Sequence, residues 1–372
     1  MSRPEPRVLH VSTGLEQGGA ERQLALICSR MRASSMVFAL REPGPMVDEI
    51  ETAGIRLASG HAGHPWSAGW IKPLRQTIRH WRPDVVMGWM YHGNLAASLT
   101  RLLGFRGPLF WNVRHSVASL ADERRATRTV IRMGATFSRL PHAIVYNSVV
   151  AARQHEAMGY CSAGRVVIAN GFDTERFRPS QERRVALRRE LGLADDAWLL
   201  GVVGRAHPMK NHSGWLDALV ALRAAGRSVH CLMVGTDMDH PAFTAEVRQR
   251  GLDGMVTLRP GTSAPEILYP GLDLLVLPSR WGEAFPNVVG EAMACGVPSL
   301  VTDVGDAAAL VGDTGFVAAD ATPRALAAAT GVALDAGRDA LVRRGQAARA
   351  RIIDQYSEAR TLARYQELWH GG

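Results

Sequence analysis

Along the whole chain, short apolar runs of strand length alternate with stretches whose apolar residues recur at helical spacing. The first unit runs from Arg7 to Ser12, through a glycine-containing turn, into Ala20-Glu21-Arg22-Gln23-Leu24-Ala25-Leu26-Ile27: strand, loop, helix. The order recurs. Strand-like runs cover Ser35 to Leu40, Asp84 to Trp89, Leu109 to Val113 and Ala143 to Asn147; helical ones cover Ile71 to Trp81 and Leu95 to Leu103. Such alternation specifies an α/β chain with a parallel, doubly wound sheet.

A second series follows Phe177-Arg178-Pro179-Ser180. An Arg- and Glu-rich helical segment leads to Trp198-Leu199-Leu200-Gly201-Val202-Val203-Gly204, then to strands at 229–234, 255–258, 273–277 and 298–302. At 372 residues the chain is too long for one ordinary core. The expected domains are therefore 1–177, 178–355 and a C-terminal helical segment, 356–372, that crosses back onto the first domain. Glycines gather at the C-terminal ends of the strands, where open parallel sheets place their ligands.

With 47% hydrophobic and 21% charged residues, and no run near the roughly 20 apolar residues of a spanning helix, an integral membrane protein is not expected. The N-terminal residues run into a strand with no signal-peptide pattern, so the expected location is cytoplasmic. Cys28, Cys161, Cys231 and Cys295 lie far apart, without the spacing of a zinc site or a disulfide framework. Asp237-Met238-Asp239 reads as a turn, and no metal site is expected. Residues 1–177 carry 22 Lys and Arg against 13 Asp and Glu, whereas 178–372 carry 21 against 22. The basic first half suits either a polyanionic or membrane-surface partner or a merely arginine-rich surface. Arg124, Arg128 and Arg132 recur every four residues near Ile131 and Met133, which makes one helix face a candidate for anionic lipid. A solvated arginine face fits equally. No nucleic-acid partner is expected.

Three loops carry chemistry. Gly18 and Gly19 stand between a strand and a helix, where the backbone approaches a ligand closely and helix N–H groups face an anion; a plain tight turn is the alternative. The loop is not GxGxxG, which argues against a nicotinamide enzyme. Gly204-Arg205 to Lys210-Asn211 places two cations over one loop, and Lys210 is one of two lysines beside 41 arginines. Two cations suit a diphosphate leaving group; a solvated basic pair is the alternative. Glu283 falls in a Gly/Pro loop and Glu291 more than a turn into the following helix, so the two carboxylates can meet different hydroxyls of one elongated ligand. One surface acid and one capping acid would be the plain reading, although Glu291 stands on an apolar helix.

Taken in order, Gly18-Gly19-Ala20-Glu21, Asn170-Gly171-Phe172-Asp173 with Phe177 and Pro179, Gly204-Arg205 to Lys210-Asn211, and Glu283 to Glu291 resemble glycosyltransferase family 4. The resemblance covers nearly the whole chain. It implies the GT-B fold, two Rossmann-like domains facing a cleft, and a retaining transfer of a hexosyl group from a UDP- or GDP-sugar. In that pattern Gly18 and Gly19 face the donor, Arg205 and Lys210 contact its diphosphate, Glu283 its sugar and Glu291 its ribose. Backbone N–H groups of Phe285, Asn287 and Val288 face phosphate or sugar, and His115 looks like the first-domain histidine near the reacting sugar. His207 and His212 are left out of the catalytic set. No cofactor or metal is required; the nucleotide sugar is a co-substrate. The implied acceptor is a glycan or lipid-linked saccharide, in polysaccharide or glycoconjugate synthesis, with the enzyme cytoplasmic or peripheral on the inner membrane face. A sugar-nucleotide epimerase or phosphorylase, and a two-lobed binding protein, are the competing readings.

Overall fold

The computed structural model describes residues 5–16, 18–42, 44, 46–63 and 67–371. The chain divides into two units, Met1–Gly171 with Ala359–Gly372, and Phe172–Glu358.

In the first unit the elements alternate: β1 Val8–Ser12, α1 Gly19–Arg30, β2 Ser35–Arg41, α2 Val47–Thr52, β3 Arg56–Ala62, α3 Ile71–Trp81, β4 Val85–Trp89, α4 Met90–Leu99, β5 Leu109–Val113, α5 Arg125–Phe137, β6 Ala143–Tyr146, α6 Val149–Ala157 and β7 Arg165–Val167. The strands pair in the order β3-β2-β1-β4-β5-β6-β7, all parallel. β1, β4 and β5 are buried at every position, as strands covered on both faces must be.

The second unit contains α7 Gln181–Glu190, β8 Trp198–Val203, α8 His212–Ala224, β9 Val229–Val234, α9 Pro241–Gln249, β10 Val256–Arg259, β11 Leu274–Leu277, α10 Asn287–Ala294, β12 Ser299–Thr302, α11 Ala307–Val311, β13 Phe316–Ala318, α12 Pro323–Asp335 and α13 Arg338–Gln355. Its sheet order is β10-β9-β8-β11-β12-β13, again parallel. The last helix, α14 Glu358–Gly371, places Tyr365 and Trp369 in the core of the first unit.

The divide falls at Gly171/Phe172, a few residues ahead of the boundary at 177 expected from where the strand–helix alternation resumes. The physical reason is Phe172. A Cβ on Gly290 would collide with its ring, and its backbone bridges to Ser357 and Tyr356. Helix α4 also corrects an expectation: it covers Met90–Leu99 instead of Leu95 to Leu103. In its first turn stands Gly93, where a Cβ would strike the Val11 carbonyl. The glycine lets α4 start directly off β4, with Met90 in the left-handed region at φ 59°.

Candidate active site

Each sheet reverses its winding at one place, between β1 and β4 in the first and between β8 and β11 in the second. Crevices at such switch points, outside the carboxyl ends of the strands, are where open α/β sheets bind ligands. In the second unit the loops that follow β8 and β11 carry Arg205, Lys210 and Glu283, and they are fastened to each other. Arg280 N donates to Met209 O at 2.8 Å, and the buried Asn211 side chain donates to Pro278 O at 3.1 Å and Ala321 O at 2.8 Å. Asn211 itself takes a left-handed conformation, φ 58°, which turns the chain from the Lys210 loop into α8.

This fastening brings Lys210 and Glu283 together. Lys210 Nζ lies 2.6 Å from Glu283 Oε1, and the same oxygen accepts from Ser279 Oγ at 2.6 Å. Ser279 is fully buried, Glu283 nearly so, and Lys210 is partly shielded. A buried carboxylate needs such partners, because a solitary charge out of water is costly. Ser279 carries no motif of its own; its position after β11, four residues before Glu283, is the only hint that the sequence offers. Arg205 stands in the same loop but is exposed, and His212 Nε2 donates to its carbonyl at 3.0 Å. Burial lowers the pKa of His212, consistent with a neutral ring that shapes the loop.

Glu291 lies on α10, buried, and its Oε2 accepts from Tyr269 OH at 2.7 Å. Tyr269, 22 residues away and fully buried, was invisible to sequence reading. Pro286 is the N-cap of α10, so Asn287 and Val288 occupy its first turn, the end at which a helix presents N–H groups to an anion. Phe285 stacks on Phe172 and tilts against Tyr356, which anchors the loop just before that turn.

The first-unit residues form a separate group. Gly18 is the N-cap of α1 and Gly19 its first residue. A Cβ on Gly18 would collide with the Glu21 carboxylate, which folds back over the helix start. Burial, the largest effect, raises the Glu21 pKa. The expected anion site therefore already carries a carboxyl group of the chain itself. His115 follows the end of β5, with Nε2 2.7 Å from Glu123 Oε1 and its ring edge-on to Tyr91.

The arginine row on α5 needs correction. Arg124 and Arg132 are exposed, but Arg128 turns inward, donating from Nε to Glu123 O and from Nη2 to Ala121 O, each at 2.7 Å. Ile131 is core. Among the described residues no three His, Cys, Asp or Glu side chains are grouped to hold a metal, and no helix is long and apolar enough to cross a membrane.

A family model described as Glycosyltransferase Family 4 matches residues 17–176, and one described as Glycosyl transferases group 1 matches residues 198–335. The lipopolysaccharide core biosynthesis mannosyltransferase LpsB of Rhizobium meliloti (strain 1021) is 33% identical over 168 residues, 44% of this chain and 47% of LpsB. The putative glycosyltransferase EpsF of Bacillus subtilis (strain 168) is 25% identical over 327 residues, 82% of this chain and 80% of EpsF. Against the first three curated relatives, the match spans less than half of the relative's own length. Among solved structures, Anabaena HepE in complex with UDP-glucose superposes with a TM-score of 0.86 at 20% identity, covering 98% of this chain and 99% of HepE. WaaG, a glycosyltransferase involved in lipopolysaccharide biosynthesis, gives 0.74 at 18% identity, covering 98% and 100%. The two sheets are those of the GT-B fold. The chain thus carries a glycosyltransferase family match in each half, Glycosyltransferase Family 4 over 17–176 and Glycosyl transferases group 1 over 198–335, on a GT-B fold that extends over nearly its whole length.

Proposed function

We propose that this chain is a retaining glycosyltransferase that moves a hexosyl group from a UDP- or GDP-sugar to a hydroxyl of a glycan or lipid-linked saccharide. The observation that carries the reading is the Lys210–Glu283–Ser279 cluster at the switch point of the second sheet, beside the N-terminus of α10. Glu283 Oε1 is taken by Lys210 and Ser279, so Oε2 is the atom for donor-sugar hydroxyls. Lys210, Arg205 and the N–H groups at Phe285, Asn287 and Val288 receive the diphosphate; Glu291, oriented by Tyr269, receives the ribose.

On this reading the glycosidic C–O bond breaks first, and the developing positive charge sits on the sugar while the cations stabilise the departing diphosphate. A diphosphate oxygen takes the proton of the acceptor hydroxyl, which attacks from the same face. Charge neutralisation falls to Lys210 and Arg205, so the step needs no metal. HepE was solved with UDP-glucose, which makes that donor the first to try.

A thermal-shift screen against UDP, GDP, ADP and their sugars tests the donor site, with slow acceptor-free hydrolysis of the stabilising sugar nucleotide as the expected sequel. Stabilisation by none of them would end the reading; stabilisation without hydrolysis or transfer would favour a binding protein.

A membrane role for the first unit belongs to the same proposal. Arg124 at the N-cap of α5 and Arg132 within it are exposed, and Phe137 and Leu140 stand exposed at its far end; Leu102, 83% exposed, follows the neighbouring α4. Basic residues beside exposed apolar ones suit anionic lipid near a lipid-linked acceptor on the inner membrane face. Sedimentation with liposomes containing phosphatidylglycerol should exceed that with neutral liposomes; equal partitioning removes this part of the proposal.

A further inference from the structure

We propose that Glu123 is the positioning residue for His115, holding the imidazole in one tautomer and leaving Nδ1 for the substrate. The inference rests on the assignment of His115 to the reacting sugar. The two residues stand eight positions apart in one loop after β5, with Nε2 and Oε1 2.7 Å apart and side chains 29% and 19% exposed. The hydrogen bond from His115 holds the Glu123 carboxyl below the usual carboxylate range, against the upward push of burial. Glu123 is therefore ionised at neutral pH and can only accept, so the proton of that bond belongs to Nε2. Nδ1 has no partner among the described residues.

The groups around the pair do not compete for it. Tyr91 meets the His115 ring edge-on and donates its hydroxyl to His155 Nε2 at 2.9 Å. His155 Nδ1 is spent on Ala151 O at 2.8 Å, and burial lowers its pKa to about 4, so it stays neutral. Arg128 is the nearby cation, and it is bound to loop carbonyls.

Nor does the loop need the pair in order to hold its shape. Gln154 Oε1 accepts from Ser116 Oγ at 2.7 Å and from Val117 N at 2.9 Å, Ser119 Oγ accepts from Ala121 N at 3.1 Å, and Arg128 secures the carbonyls of Ala121 and Glu123. A shielded His–carboxylate pair that the local structure can spare has the form of a working histidine with its orienting group.

Two measurements on the full chain decide it. With 15N-histidine labelling, and His115→Ala to assign the signal, NMR should show the Nε2-protonated tautomer of His115 in the wild type and a tautomer mixture in Glu123→Ala. In UDP-glucose turnover, Glu123→Ala should lower kcat about 10- to 100-fold with KM within about twofold. Glu123→Gln should recover part of the loss, and Glu123→Ala in a His115→Ala background should add none. An unchanged tautomer, or a full separate loss in the His115→Ala background, overturns the proposal. If UDP-glucose is not turned over, the same comparison is made with the sugar nucleotide that stabilises the protein, and the NMR result decides the pair independently of the donor.

Discussion

In the second unit, buried charges come with partners. Asp273 at the start of β11 receives Arg184 at 2.7 Å, Arg338 at 3.3 Å and the buried Arg188 at 3.4 Å, while Lys210 meets Glu283 across the two site loops. In the first unit, Arg114 at the end of β5 takes only neutral partners among the described residues: Asn112, Asn170 and the Tyr365 hydroxyl, with the Trp89 ring beneath its guanidinium. Burial lowers the pKa of Arg114, and it pushes His10 to about 3 and His155 to about 4. The contrast teaches where each unit keeps its chemistry. The second unit pairs opposite charges, at the start of β11 and across the two loops at the strands' carboxyl ends, whereas the first keeps its buried histidines neutral, rests the Arg114 guanidinium on neutral acceptors and leaves the shielded Glu123–His115 pair after β5.

The comparison can be broken in three places. The largest effect is expected from Asp273→Ala, which strands three guanidinium groups, one of them buried; it should cost about 3–5 kcal/mol, read as a lower urea midpoint. A loss under about 1 kcal/mol would mean that the second unit does not depend on its pairs. Next is Lys210→Ala, which should lower transfer by about 10²- to 10³-fold with far-UV circular dichroism retained. Wild-type turnover in that variant would remove the diphosphate assignment. The smallest effect is acid sensitivity in the first unit. His155 is neutral when folded and has an ordinary value near 6.5 when unfolded, so its contribution is intact above pH 6.5. As pH falls toward about 4 the unfolded chain gains a proton that the fold refuses, a loss of about 3 kcal/mol. His155→Gln should flatten that part of the stability–pH curve; an unchanged slope would show that the titration is not its own.

Much of the fold was readable because its signal is local. Ile71–Trp81, Leu109–Val113 and Val229–Val234 are expected and observed over the same residues, since central strands and amphipathic helices announce themselves by period. The strands that escaped, β3, β7 and β13, include three of the four sheet edges, where a strand is short or half exposed and its apolar pattern is diluted. The candidate site was legible in part for the same reason. Arg205, Lys210, Glu283 and Glu291 belong to contiguous motifs, whereas Tyr269 and Ser279 do their work from positions that no spacing rule singles out. Arg128 shows the converse: its four-residue period with Arg124 and Arg132 is real, yet its guanidinium is used up on two loop carbonyls.

By itself the sequence determined two parallel, doubly wound sheets and the order of the loops at their carboxyl ends, because hydrophobic period and glycine placement act over a few residues. Tertiary structure alone decided the rest. It set Lys210 on Glu283 and Tyr269 on Glu291, folded the Glu21 carboxylate over Gly18, and assigned Phe172 to the second unit by pressing its ring against Gly290. Those outcomes depend on which polar atoms remain to be satisfied once strands far apart in the chain have been laid side by side, and no local pattern carries that information.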